Sequence, residues 1–138
     1  MSIDLIQIAP DFKNLLDENG FEQVDSAYNL GEFGNVSITM KSFDFSLRFY
    51  TDRGDTFVDI GGEKIGWYKL EYVIEFIDME INDKYLGSPP DIKKLANAFN
   101  QNYAKIRDLF CSDFLNSGFV EFHKKKSLEF INNIFGTP

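Results

Sequence analysis

The stretch that decides the fold is SLRFYTDRGDTFVDIGG, Ser46 to Gly62. Apolar and polar residues alternate, the chain turns at Asp52-Arg53-Gly54-Asp55, the alternation resumes, and two glycines end it. Period two is the pleat of a strand with one buried side. Gly54 stands where a left-handed backbone is needed, as in hairpins that close with a glycine bulge. The stretch therefore predicts two antiparallel strands joined tip to tip.

Working outward toward the N-terminus, the same period continues. In Asn35–Lys41, Val36, Ile38 and Met40 share one side, with Ser37, Thr39 and Lys41 on the other. In the following run, Phe43, Phe45, Leu47 and Phe49 fall together, opposite Asp44, Ser46 and Arg48. A tight hairpin near Lys41–Ser42 joins these two runs. Phe21 to Tyr28 read as a first strand. Before it, Phe12, Leu15 and Leu16 follow Pro10 at helical spacing, and Gly20 is the stop.

Toward the C-terminus the period changes. Trp67, Leu70, Val73, Ile74, Ile77 and Ile81 lie three or four apart, a helix stripe, although its first residues also favour a strand. Gly61 to Gly66, GGEKIG, reads as a strand-to-helix connection, since it has neither dinucleotide nor phosphate-loop spacing. Ser88 is a candidate cap with Pro89 behind it, opening a stripe of Ile92, Leu95, Ala96, Phe99, Tyr103, Ile106 and Phe110. Ser112 is a further cap and Gly118 a break. Leu128, Ile131, Ile134 and Phe135 form the last apolar face. The layout is α+β in one domain over 1–138. It has an N-terminal helix, an antiparallel meander of three to four strands, and three to four helices on one sheet face.

Length and composition allow a real core: 138 residues, 43% apolar, with 15 phenylalanines. The net charge is −8 and uneven. Residues 1–35 hold seven acids and one base, 52–83 nine and three, and 84–138 five and eight. Such a field repels nucleic acid and anionic membrane and attracts cationic partners. No apolar run approaches the length that spans a bilayer. The N-terminus has no secretory pattern, so the expected location is cytoplasmic. A single cysteine, Cys111, forms no internal disulfide and reads as a small buried hydrophobe.

Arg48 to Asp59 holds three aspartates and two arginines within twelve positions, and no other stretch looks more like chemistry. Carboxylates of this kind hold hard cations, but the spacing of a calcium loop is missing. Asp52 and Asp55 beside a turn, and Asp59 on the polar side of a strand, read instead as the rim of a hairpin. His123, the one histidine, has no nucleophile context and reads as exposed or at a helix end. Lys124 to Lys126 read as a solvated run. No cofactor or metal is expected and no catalytic residue is assigned.

The remaining candidate is a stripe. On the helix following GGEKIG, Glu71, Glu75 and Asp78 share one narrow face, and Tyr68, Tyr72 and Phe76 flank it. No lysine on that face balances the acids. Acids steer a partner and aromatics anchor it, so these six residues are the expected docking surface for a basic protein. Two other classes stay open: a small metal-dependent enzyme built on Asp52, Asp55 and Asp59, and a self-associating structural or regulatory module.

LRFYTDRGDTFVDIGG, followed by WYKLEYVIEFI and a helical last third ending LEFINNIFG, resembles the small immunity proteins of bacterial polymorphic-toxin and contact-dependent inhibition systems. The likeness runs over about 34–135. It implies a protein that binds a cognate toxin domain, blocks it, and has no reaction of its own. It assigns no residue.

Overall fold

The computed structural model of the chain describes residues 5–29, 35–78, 90–111, 113, 114 and 117–135. One 3₁₀ turn, Leu5–Gln7, precedes helix α1 (Pro10–Glu18). Five strands follow: β1 (Glu22–Asn29), β2 (Asn35–Lys41), β3 (Ser46–Asp52), β4 (Asp55–Gly62) and β5 (Gly66–Lys69). Then come the helices α2 (Leu70–Ile77), α3 (Ile92–Gln101), α4 (Tyr103–Cys111) and α5 (Phe119–Phe135). The fold is α+β. The sheet is antiparallel throughout, and each strand lies beside its sequence neighbours.

The alternation in the sequence is the alternation in the sheet. Ile38 and Met40 of β2, Leu47 and Phe49 of β3, and Val58 and Ile60 of β4 are buried on one side. The helices cover that side. Phe12 of α1 meets Phe49 edge-on at 5.0 Å and Phe99 of α3 at 5.7 Å, and Phe99 in turn meets Phe45. Leu16, Leu95, Ile106 and Phe119 complete the layer. Each such side chain contributes about 1.5–3 kcal/mol by leaving water, so these interlocked rings are the main bond between helices and sheet.

Several sequence expectations need correction. The meander has five strands because Gly66–Lys69 pairs with β4 before any helix begins. GGEKIG is thus a hairpin turn, and Trp67 belongs to a strand. The helix stripe shortens to Leu70, Val73 and Ile74, all buried, with Ile77 partly so, while Ile81 lies outside the described residues. The Asp52–Asp55 hairpin closes on two residues, Arg53 and Gly54, both at positive φ, with no bulge. The register shift falls in β1, between Gln23 and Asp25.

Phe43 does not continue the buried run. The Ser42 hydroxyl and amide both bond the Phe45 carbonyl, closing a turn that throws Phe43 into solvent. Asp91 caps α3 through a bond from the Lys94 amide at 3.1 Å, so the cap lies three residues later than Ser88. Ser88, Pro89 and Ser112 lie outside the described residues. The long stripe from Ile92 is two helices, broken at Asn102, whose side-chain amide bonds the Ala98 carbonyl. Cys111 is exposed, its thiol donating to Asp44 at 3.0 Å. Leu128 and Ile131 are exposed on α5, and the side chains of Ile134 and Phe135 are outside the described set. Gly20 and Gly118 end and begin helices as expected, both at positive φ.

Candidate functional site

The six residues of the expected docking stripe are brought together, but largely inside the molecule. Tyr68 leaves β5 on the buried side, where its ring meets Phe114, Phe119 and His123, and its hydroxyl donates to the Ile65 carbonyl. Tyr72 and Glu71 are each only 9% exposed. Phe76 packs on Phe119 and Phe122 of α5. Glu75 pairs with Lys126 of α5 at 2.9 Å, and Asp78 accepts from the Asn102 side chain. A helix of eight residues has little surface to spare, and α5 lies along this part of it. The lysine that the stripe lacked in sequence comes from another element fifty residues away, and only the tertiary fold shows it.

Burial acts on the titratable groups of this seam. Glu71 is pushed up to about 7 by burial, against the pull of Lys69 and with the push of Asp59. Its Oε2 has no hydrogen-bond partner among the described residues. His123 is no helix-end residue: its Nε2 accepts the Lys69 amide at 3.3 Å, and burial, with Lys69, lowers its pKa.

The aspartate cluster of the hairpin does not converge. Asp52 and Asp55 face each other across the tip, while Asp59 is bonded to Arg48 at 2.7 Å. Burial raises the Asp59 pKa against the Arg48 hydrogen bond and charge. Among the described residues no group of three or more histidines, cysteines and acids is placed to hold a metal ion.

The sheet's other side has a built character that the sequence did not show. Register places Asp25, Thr39, Arg48, Asp59 and Lys69 in one row across all five strands. Ala27, Ser37, Tyr50 and Phe57 form the next row. The Arg48 guanidinium lies over the Trp67 ring at 4.6 Å while holding Asp59, and Tyr50 stacks on Phe57 at 5.3 Å. Cation–ring contacts of this kind are worth about 0.5–2 kcal/mol. Burial and the charges of Asp59 and Glu71 push the Tyr50 phenol up to about 12, so it stays a neutral donor. These aromatics are partly exposed. Beyond the Arg48–Asp59 pair the side carries Glu22, Asp25, Asp52 and Asp55 against Lys41 and Lys69.

A shallow groove of about 470 Å³ runs along it, between Ala27, Ser37, Tyr50 and Asp52. At the opposite end of β2 and β3 stands Phe43, 102% exposed at the tip of their hairpin. The signal for Phe43 was present in the sequence, since Ser42 and Asp44 bracket it with turn-forming residues. The Arg48–Trp67 contact had no such signal, because the two residues meet only across β4.

Comparison with protein-family models, with curated proteins and with solved structures gives no match.

Proposed function

We propose that the chain is a binding protein that inhibits a basic protein partner by covering it, in the manner of bacterial immunity proteins. It docks through the outward side of the sheet and the Phe43 tip. The observation that carries this reading is Phe43. A phenylalanine wholly in water forgoes the roughly 1.5–3 kcal/mol that burial returns, and its ring takes no part in the core. Such a side chain suits an anchor for a pocket on another molecule. Along the outward side of the sheet from it lie the partly exposed rings of Tyr50, Phe57 and Trp67, which supply contact area at little entropic cost. The acids around them, on a chain of net charge −8, select a positively charged partner and speed its approach.

The reading moves the docking surface away from the α2 stripe and keeps the class of function. Inhibition follows by occlusion: an acidic, aromatic face laid over a basic cleft excludes that cleft's substrate. No step of chemistry falls to the chain itself.

The test starts from the genes neighbouring this chain's own and co-expresses the chain with any toxin domain they encode. Growth protection by the unmodified chain, lost in Phe43→Ser and in Trp67→Ala with both variants still folded by circular dichroism, supports the reading. Protection that survives in the Phe43→Ser, Trp67→Ala double variant sinks the docking face. A neighbouring gene set with no toxin, together with failure to bind any basic protein domain in calorimetry, sinks the function.

A further inference from the structure

Where β5 gives way to α2, two titratable side chains, Glu71 of the junction and His123 of α5 packed against it, have surroundings that dictate their charge. On one flank the Lys69 amide donates to Nε2 of His123 at 3.3 Å. A nitrogen that accepts carries no proton, so the ring is neutral with its hydrogen on Nδ1. Tyr68, Tyr72 and Phe119 enclose that ring at 5.1, 5.3 and 5.7 Å. The nearby ammonium of Lys69 opposes a second positive charge there.

On the other flank Glu71 is buried, and its Oε2 meets no donor among the described residues. Lys69 of β5 attracts its charge and Asp59 of β4 repels it, while Tyr50 of β3 feels it in turn. Arg48 of β3 is bonded to Asp59, and Lys126 of α5 to Glu75. Neither cation is bonded to Glu71. The backbone amide of Glu71 bonds its carboxyl group and favours the charge, but burial outweighs that, so the carboxylate is disfavoured in such a place and the neutral acid tolerated.

We propose that this junction is a pH-sensitive fastening: in mildly acidic solution the folded chain keeps a proton on the buried Glu71 carboxyl and none on the His123 nitrogen that accepts the Lys69 amide. Adding a proton to His123 breaks its bond to the Lys69 amide. Removing the proton from Glu71 draws the carboxylate out toward Lys69 and water. Either event loosens the first turn of α2 and, through Lys69, the edge of the outward sheet side. The inference stands whether or not that side docks a partner.

The signs follow from linkage. The Glu71 pKa is raised by folding from 4.5 to about 7, so its contribution is full below 4.5 and lost as pH rises to about 7. The His123 pKa is lowered from 6.5, so its contribution is full above 6.5 and lost as pH falls. Just below 6.5 the two slopes oppose each other, so the single variants separate what wild type combines.

The experiment measures thermal midpoints from pH 4.5 to 8 for wild type, Glu71→Gln and His123→Gln, and titrates the Glu71 side-chain carboxyl carbon and the Lys69 amide of the unmodified protein by NMR. The expected advantage of Glu71→Gln over wild type grows by about 5 °C as pH rises to neutrality. His123→Gln gains on wild type as pH falls below 6.5, and the Lys69 amide shifts with His123 protonation. A Glu71 carboxyl that titrates near its ordinary 4.5, or a Lys69 amide indifferent to pH, overturns the inference even if neither variant folds. So does a flat difference between wild type and either variant.

Discussion

Arg48 is held from two sides at once, by the Asp59 carboxylate in front and the Trp67 ring beneath. Its side chain is 37% exposed and that of Asp59 13%, so the pair lies between a surface bridge and a buried one. Replacing Arg48 by Met leaves a mostly buried acid without its donor. The expected loss is about 1–3 kcal/mol in urea unfolding at pH 7. The loss is smaller near pH 4, where the Asp59 carboxyl, already raised by burial, takes up a proton. Gly61 is constrained in another way: at φ 148 a Cβ would overlap the Gly66 carbonyl oxygen across the hairpin, whereas Gly62 faces open space. Gly61→Ala is expected to cost at least about 2 kcal/mol and Gly62→Ala less than about 1, read from paired denaturation midpoints. At this scale the sequence was partly legible. It placed Asp59 on the polar side of its strand, but it gave His123 and Cys111 each the opposite environment. Exposure of a single side chain depends on what other elements lay over it, and local pattern does not encode that.

The elements were more legible where their period was pure. β2, β3 and β4 follow from alternation alone, because a strand with one buried side must alternate. α1 follows from Pro10, Phe12, Leu15, Leu16 and Gly20. Residues 66–77 were ambiguous: aromatic and β-branched residues suit either a short strand or a helix, and the pairing of β5 with β4 settled the division. The α3 start moved from Ser88 to Asp91 because both residues can cap, and the bond to Lys94 decides between them. Asp91→Ala is expected to destabilise the protein by about 1 kcal/mol without changing its activity in binding, measured by thermal unfolding beside a binding assay. α2 and α5 face each other through Phe76, Phe119 and Phe122. Placing lysine at Glu71, a change that looks mild on a helical wheel, would bury an ammonium there and is expected to unfold the junction rather than probe a surface.

For the whole molecule, two sides of one sheet have separate tasks: helices cover one, and the other carries the rings and acids proposed to dock a partner. Phe43→Ser should leave unfolding within about 0.5 kcal/mol of wild type, since the ring stands fully exposed among the described residues, and weaken partner binding at least about tenfold. Reversing Asp25, Asp52 and Asp55 to lysine should slow association and flatten its salt dependence, with little effect on dissociation. Stopped-flow traces at two ionic strengths check this. The α+β class, the antiparallel meander and the core faces of three strands and the first helix were determined by the sequence alone, because period and turn chemistry are local properties. The docking stripe was decided by tertiary structure, which turned a surface acidic face into a seam closed by Lys126 and the α5 rings. It also exposed Phe43 and joined Arg48 to Trp67. Charge balance, burial and cross-strand contact are properties of what lies across from a residue, and the chain brings those residues together only when it folds.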